Sequence, residues 1–230
     1  MRHLLAAALC AAVALSGAAF AADAPALKSD KEKISYSIGM DIGGNLKRQS
    51  IDVDPDALSK GIKDSYTGGK TLLTEDEARQ AILDFQKQMM EKRAEALKQL
   101  GEKNKADGAK FLAENGKKEG VKTLPSGLQY KELTPGTGKS PTATDTVTTH
   151  YKGTLIDGTE FDSSYKRGEP VTFPVSGVIP GWTEALQMMK EGAKWQLFIP
   201  PDLAYGDRGA GQEIGPNTTL IFEVELISVQ

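Results

Sequence analysis

The C-terminal stretch "TLIFEVELISV", residues 219–229, places its largest apolar side chains at every second position. Leu220, Phe222, Val224 and Leu226 therefore fall on one face of an extended chain, because successive side chains of a strand point to opposite sides of a sheet. The pattern predicts a β-strand that buries this face against a core.

Upstream of this strand, Pro, Gly and Thr are frequent, and short runs typical of strands follow one another. A helix is predicted among them at "PGWTEALQMMKEG", residues 180–192, with Trp182, Leu186 and Met189 on its inner face. One antiparallel sheet curled around one short helix is an α+β fold, which we predict for residues 117–230. The other predicted strands are residues 128–132, 146–156, 171–175 and 194–199.

The preceding part of the chain is predicted to be helical. A first helix is capped by Ser29 or Asp30, and Ile34, Ile38 and Ile42 recur in it at every fourth position. Residues at this spacing lie on one side of a helix, so the stripe is expected to pack against a partner surface.

Two more helices follow before the sheet. The second is predicted to have Asp54 as its cap, Pro55 as its first residue, and Leu58 and Ile62 as its buried stripe. The third is a connecting helix over residues 74–116, which contain no proline. At about 1.5 Å per residue it forms a rod of roughly 60 Å, too long to pack along its whole length against so small a domain. Its later part, rich in Lys, Glu, Gln and Asn, is predicted to be a solvated spacer.

These three helices cannot easily close a core, because one of them is mostly a rod. Two copies of the chain that exchange apolar faces would solve the problem. We therefore predict a homodimer, with residues 22–73 as an all-helical dimerisation region. A monomeric chain with a helical appendage is the alternative.

The first residues have the features of a secretory signal peptide. Arg2 precedes an apolar run that ends near Leu15, and Ala19 and Ala21 form the small-residue pattern of a cleavage site. We predict cleavage of residues 1–21 and export to the periplasm, with a retained membrane anchor as the alternative. The mature chain then has no membrane span and no cysteine, because the only cysteine belongs to the signal peptide.

Charge and residue types disfavour several classes of function. The net charge of −3 gives no sign of the basic surface that nucleic acid requires. His150 is the only histidine outside the signal peptide, which disfavours a zinc site of the usual Cys/His kind. Asp157, Glu160 and Asp162 do not follow a calcium-loop pattern, so no metal or cofactor is predicted.

On the strand over residues 146–156, His150 points away from Tyr151. If Tyr151 faces a pocket, His150 cannot act there as a base for Ser163 or Ser164.

The stretch "GTEFDSSYKRGEP", residues 158–170, sets the aromatic Phe161 directly beside Asp162 in a Gly- and Pro-containing context. A serine nucleophile, a metal site, a plain turn and an apolar pocket with one polar group are the alternatives. We favour the pocket, because further apolar and aromatic residues occur near strand edges, in loops and at a helix start. With Phe161, these are Tyr151, Val178, Ile179, Trp182, Tyr205 and Phe222.

Five short motifs in this part of the chain occur in the order and spacing of a known family. They are "HYKGTL", "GTEFDSS", "VIPGW", "AYGDRG" and "TLIFEVEL". The chain closely resembles the FKBP-type peptidyl-prolyl cis-trans isomerases. Its helical N-terminal part also resembles the dimeric bacterial subgroup that includes the macrophage infectivity potentiator proteins.

The resemblance implies that the apolar residues above surround one substrate cavity, with Trp182 as its floor. It implies that Asp162 and Tyr205 are the catalytic polar groups and that the backbone N–H of Ile179 binds a substrate carbonyl. An ordering of the pocket wall is the alternative role of Asp162. Arg167 is expected to pair with Asp162. The implied function is isomerisation of X-Pro bonds in exported proteins, and a dimeric chaperone that holds unfolded clients is the alternative. The implied partners are proline-containing unfolded or partly folded polypeptides, with macrolide inhibitors as candidate ligands. Association with the outer membrane or cell surface stays open.

The sequence departs from the family pattern in two places. Val171 stands where many members have an aromatic residue. The loop "DRGAGQEIGPN", residues 207–217, lacks the His-Pro-Gly-Ile run of the small one-domain members. Both departures concern substrate preference and inhibitor affinity, and neither changes the predicted fold.

Overall fold

The computed structural model describes residues 27–230, so the predicted signal peptide lies outside the described residues. The chain divides after Thr74 into two compact units. Among residues 27–74 the first unit has two helices, and the second unit contains a long helix and a β-sheet.

In the first unit, helix α1 spans Asp30–Arg48 and helix α2 spans Pro55–Tyr66. Ser29 caps α1, because its hydroxyl accepts a hydrogen bond from the Glu32 backbone while the Glu32 carboxylate accepts one from the Ser29 backbone. Asp54 caps α2 ahead of Pro55, as the sequence predicts.

No residue of α1 or α2 is buried. Leu58 and Ile62, predicted as a buried stripe, are exposed in the single chain. The prediction of burial is therefore wrong within a single chain.

The second unit begins with helix α3, Glu75–Asn115, which has 41 residues. The prediction of a solvated spacer for its later part is wrong. Gly101, Gly108 and Asn115 are buried, and the ring of Phe111 lies 6.0 Å from that of Phe198 in the sheet. The end of α3 packs against the sheet because its glycines allow close approach.

Seven strands of the described residues form one antiparallel sheet. The strands are β1 (Val121–Thr123), β2 (Gln129–Thr134), β3 (Thr146–Leu155), β4 (Glu160–Ser163), β5 (Val171–Pro174), β6 (Lys194–Ile199) and β7 (Leu220–Val229). The order in the sheet is β1-β2-β6-β7-β3-β4, and β5 also pairs with β3. The short helix α4 spans Ser164–Arg167, and helix α5 spans Pro180–Met188.

The core lies between one face of this sheet and α5. All four residues of the predicted apolar face of β7 are buried, and so are the three predicted inner residues of α5 and its end. The predicted α+β fold class is confirmed. We call residues 121–230 the sheet domain. Among the described residues, no helix has both the length and the apolar character that crossing a bilayer requires.

Candidate active site

A cavity of about 420 Å³ opens between the sheet and the start of α5. Asp162 and all seven apolar and aromatic residues predicted from the sequence line it. Arg167 does not line the cavity and lies behind Asp162. The lining residues are Tyr151, Phe161, Asp162, Val171, Phe173, Gly177, Val178, Ile179, Trp182, Tyr205 and Phe222.

Aromatic rings meet edge to face at the bottom of the cavity. The Trp182 ring lies 5.3 Å from Tyr151, 5.2 Å from Phe222 and 5.6 Å from Phe173, with interplanar angles of 88°, 88° and 60°. Only 5% of Trp182 is exposed. Such contacts fix the rings by complementary edge and face charge, so the floor is rigid and apolar.

Gly153 on β3 makes room for two of these rings. It lies opposite Phe222 on β7 and opposite Asp162 on β4. A Cβ at this position would come within 2.6 Å of the Phe161 ring and 2.8 Å of the Phe222 ring. The glycine in "HYKGTL" is therefore a steric requirement of the cavity wall.

The start of α5 contains a backbone N–H group without a partner among the described residues. The Ile179 carbonyl accepts hydrogen bonds from the backbone N–H groups of Trp182 and Thr183. No described residue accepts a hydrogen bond from the backbone N–H of Ile179, and Ile179 is one of the residues that line the cavity. This N–H is thus available to a carbonyl oxygen of a bound molecule.

The polar edge of the cavity is a three-residue cluster. Asp162 accepts a hydrogen bond of 2.6 Å from the Tyr151 hydroxyl and pairs with Arg167. Arg167 also donates to the Tyr151 hydroxyl at 2.8 Å and lies over the Tyr151 ring. The two oxygens of Asp162 are therefore both engaged by protein groups.

The cluster shifts the ionisation of both acids. Partial burial opposes charge on Asp162, but the hydrogen bonds from Tyr151 and Arg167 outweigh it and lower the pKa of the carboxyl. Burial, with the hydrogen bond to Asp162, raises the pKa of the Tyr151 phenol. Asp162 is ionised and Tyr151 is neutral at neutral pH.

Tyr205 stands at the mouth of the cavity, where 40% of it is exposed. No other residue in the described part of the chain hydrogen-bonds its hydroxyl. An unpaired phenol at the rim can reach the backbone of a bound peptide, unlike the phenol of Tyr151.

The structure does not bring His150 to the cavity. Its ring stacks on Tyr165 at 4.5 Å, and its Nδ1 lies 2.9 Å from the hydroxyl of the fully buried Ser164. His150 is partly buried, and it points away from Tyr151, as the sequence predicts. Since Ser164 is enclosed and outside the cavity lining, this pair is not placed for nucleophilic chemistry.

Sequence reasoning missed Phe173 and did not place Val171 on the lining. Val171 and Phe173, both on β5, line the cavity, and the Phe173 ring packs against Trp182. The signal was present, because residues two apart on a strand share a face.

Two family models match the chain. The FKBP-type peptidyl-prolyl cis-trans isomerase domain matches residues 137–227, and the domain amino-terminal to it matches residues 31–131. The crystal structure of FkpA from Escherichia coli superposes with a TM-score of 0.76 at 39% identity, covering 89% of this chain and 99% of that one.

Curated relatives are similar over nearly the whole chain. The "Outer membrane protein MIP" of Legionella longbeachae is 52% identical over 95% of this chain and 94% of its own length. The peptidyl-prolyl cis-trans isomerase Mip of Coxiella burnetii is 47% identical over 89% of each chain. With this similarity and an aromatic cavity built from the family's own motifs, the chain belongs to the FKBP-type peptidyl-prolyl cis-trans isomerases.

Proposed function

We propose that this chain catalyses the cis-trans isomerisation of X-Pro peptide bonds in unfolded or partly folded exported polypeptides, and that it acts as a homodimer. The observation that carries the proposal is the rigid aromatic cavity lined in part by Ile179, whose backbone N–H has no partner among the described residues. A proline ring fits an apolar floor, and the N–H offers one polar contact for the adjoining chain.

The chemistry asks for no nucleophile or proton transfer. The amide resists rotation with a barrier of about 18–20 kcal/mol, because its C–N bond is partly double. An increase in rate from about 0.01 to about 100 per second requires a reduction of roughly 5.5 kcal/mol. Binding that favours the twisted amide over both planar forms can supply this.

Desolvation and positioning both act in this cavity. A planar amide has charge-separated resonance that water stabilises, and the aromatic walls remove that water. The prolyl ring packs on Trp182, and the Ile179 N–H holds a substrate carbonyl. Tyr205 donates a hydrogen bond to the substrate backbone from the rim, which favours the twisted geometry.

Asp162 acts in this proposal by ordering the wall. Both of its oxygens are engaged by Tyr151 and Arg167, which leaves it poorly placed to exchange protons with a substrate. It fixes the Tyr151 ring against Trp182. The same cavity is within the size range of small-molecule sites, and we infer that macrolide inhibitors bind there.

The activity is tested with an X-Pro tetrapeptide in a protease-free assay on the full chain. We expect Trp182→Leu to lower kcat/KM by about 10- to 100-fold, since it removes the floor. Trp195→Leu is the matched control, because Trp195 is equally buried but lies outside the cavity. A wild-type rate equal to the uncatalysed one would reject the proposal, as would equal activity of the two variants.

A second function, holding of unfolded clients, is favoured by one observation. Helix α1 exposes Ile34, Tyr36, Ile38, Met40 and Ile42 in the single chain. A dimer that leaves part of this surface open could cradle a client between two copies. Suppression of aggregation of a reduced, unfolded protein should then survive Trp182→Leu, whereas isomerisation should not. Loss of both activities in that variant would argue against a separate holding function.

We further infer that the protein acts in the periplasm or at the outer membrane surface. The signal-like pattern of residues 1–21 supports export. The name of the Legionella relative supports an envelope location for that protein. Fractionation of cells that express the full chain, with the mature N-terminus read by mass spectrometry, tests this inference.

A further inference from the structure

The end of α3 packs against the segment that follows Tyr205. We call residues 206–219, which run from Tyr205 to β7, the junction segment. A Cβ on Gly101 would come within 3.3 Å of Pro216 and Asn217, and one on Gly108 would overlap the Thr219 hydroxyl. The two glycines lie seven residues apart, so they share one face of the helix and allow it to approach the segment closely.

Asn104 lies on the same face, between these glycines. Its side-chain amide donates to the Pro216 carbonyl at 2.9 Å and to the Thr218 hydroxyl at 3.2 Å. Both N–H groups of this amide therefore cross from the helix to the junction segment. In the other direction, the Asn217 side chain donates to the Gly101 carbonyl at 3.4 Å. These contacts are partly buried, which shields them from competing water.

The junction segment connects this contact to the site. The backbone N–H of Asn217 donates to the carbonyl of Gly206 at 2.8 Å, and Gly206 directly follows Tyr205. Asn217 holds a left-handed conformation with φ 54°, which asparagine tolerates better than most residues. The backbone of Ala210 pairs with that of Ile214 and closes the loop between them.

The far side of the same loop borders the candidate active site. A second cavity is lined by Phe161, Asp162 and Tyr205 together with residues 210–214. The junction segment thus faces the site on one side and α3 on the other. Any shift of its end at Pro216–Thr218 would be passed through the Asn217–Gly206 hydrogen bond to the main chain at Tyr205.

We propose that Asn104 is a positioning residue of the isomerase site. From α3 it fixes the end of the junction segment, and through Asn217 and Gly206 it sets the place of Tyr205 at the cavity mouth. This inference rests on the proposed function. The end of α3 would then contribute to isomerisation, although no residue of α3 lines the substrate cavity.

The test uses the full chain with Asn104→Ala, Asn104→Asp and the control Lys105→Ala, whose side chain is exposed on the same helix. The aspartate keeps the size of the side chain but has no N–H for the Pro216 carbonyl. We expect both Asn104 variants to lower kcat/KM on the tetrapeptide by about 3- to 10-fold, and the control to stay within about 1.5-fold of wild type.

A second measurement separates positioning from simple stabilisation. Amide hydrogen exchange should speed up at Asn217, while amides in β3 and β7 keep their wild-type protection. A purely stabilising role would instead raise exchange equally in these strands and leave kcat/KM of the folded fraction unchanged. If Asn104→Ala does not fold, kcat/KM and amide hydrogen exchange of Asn104→Asp test the positioning role instead.

The outcomes also distinguish this inference from the proposed function. An inactive wild-type chain would reject the isomerase itself. An active wild type, with folded Asn104 variants of equal kcat/KM, would overturn the positioning role and leave the isomerase intact.

Discussion

The two N-terminal helices and the sheet domain differ in how much of themselves they bury. No residue of α1 or α2 is buried, whereas the sheet domain encloses a continuous aromatic and aliphatic core. Both regions have apolar patterns in sequence. An apolar pattern therefore indicates a face that must pack against another surface. Within the described residues of one chain, the sheet domain covers its apolar faces and α1 and α2 do not.

Helix α1 is apolar on two sides. At 100° per residue, Ile34, Ile38 and Ile42 share one side, while Tyr36 and Met40 lie nearly opposite. Ile34 is 62% exposed and Met40 is 64% exposed. A helix of this kind is covered only when other elements contact both sides, which favours an intertwined pair of copies over a single flat contact.

We expect the largest effect from substitutions in α1 that prevent the two copies from associating. If the chain is the proposed dimer, the double variant Ile34→Asp and Ile38→Asp removes four isoleucines from its interface, and burial of each is expected to contribute about 1.5–3 kcal/mol. We therefore expect the dissociation constant of the dimer to rise at least about 100-fold. Sedimentation velocity should show a dimer for the wild type and a monomer for the variant, with reduced helical circular dichroism.

The control is Ser37→Asp, which adds one negative charge on a polar sector of the same helix, where the double variant adds two on the apolar side. It should remain dimeric. A wild-type chain that sediments as a monomer at micromolar concentration would contradict the dimer directly. Unchanged isomerisation of the tetrapeptide in the double variant is also expected, because the cavity belongs to the sheet domain.

The second prediction compares a glycine of the exposed helix α2 with a glycine of α3 that packs closely. A Cβ on Gly61 of α2 meets nothing within 4 Å, whereas one on Gly108 of α3 overlaps Thr219. We expect Gly108→Ala to lower the free energy of unfolding of the sheet domain by about 1–3 kcal/mol, because the helix must move away. Both tryptophans lie in that domain, so their fluorescence during denaturation reports its unfolding alone.

Two further variants control the glycine experiment. Thr219→Ala removes the overlapping hydroxyl, which has no hydrogen-bond partner within the described residues. Combined with Gly108→Ala, it should restore much of the stability that Gly108→Ala alone loses. Gly61→Ala should leave the fluorescence transition unchanged. A Gly108→Ala protein as stable as wild type would show that α3 does not need this close approach.

The sequence predicted the elements whose patterns are long or strongly periodic. Strand β6 has the predicted limits, and β7 begins one residue later than predicted. Strands β1 and β4, with three and four residues, are too short to show a period. Their pairing depends on neighbouring strands that are distant in sequence, so local pattern could not reveal them.

The residues that line the cavity were predicted on a different basis from the fold. The positions of Trp182, Phe222 and Tyr205 came from the order of family motifs, because single aromatic residues fit a core equally well. The packing of α3 was missed because Asn104 and the two glycines look like solvated or weak helix residues. They dock through hydrogen bonds and close approach, which hydropathy does not register.

The smallest predicted effect concerns charge. Ion pairs occur in both regions, but Lys33–Asp30 lies on exposed α1, whereas Asp162–Arg167 forms the cavity edge with Tyr151. We expect the carboxyl ¹³C signal of Asp162 to titrate below the usual value of about 3.9. In Arg167→Leu the pKa should rise, because one hydrogen bond and the nearby positive charge are lost.

The sign of the pH effect follows from this lowered pKa. A carboxyl whose pKa falls on folding contributes stability above its unfolded pKa and loses it as the pH drops through the folded value. Between pH 5 and 8 the Asp162–Arg167 pair stays ionised. Its contribution to the free energy of unfolding, and to the order of the cavity wall around Tyr151, should therefore be constant over this range. A midpoint for Asp162 above about 3.9 would mean that burial outweighs its two donors, and the carboxylate would then be a weak anchor for Tyr151.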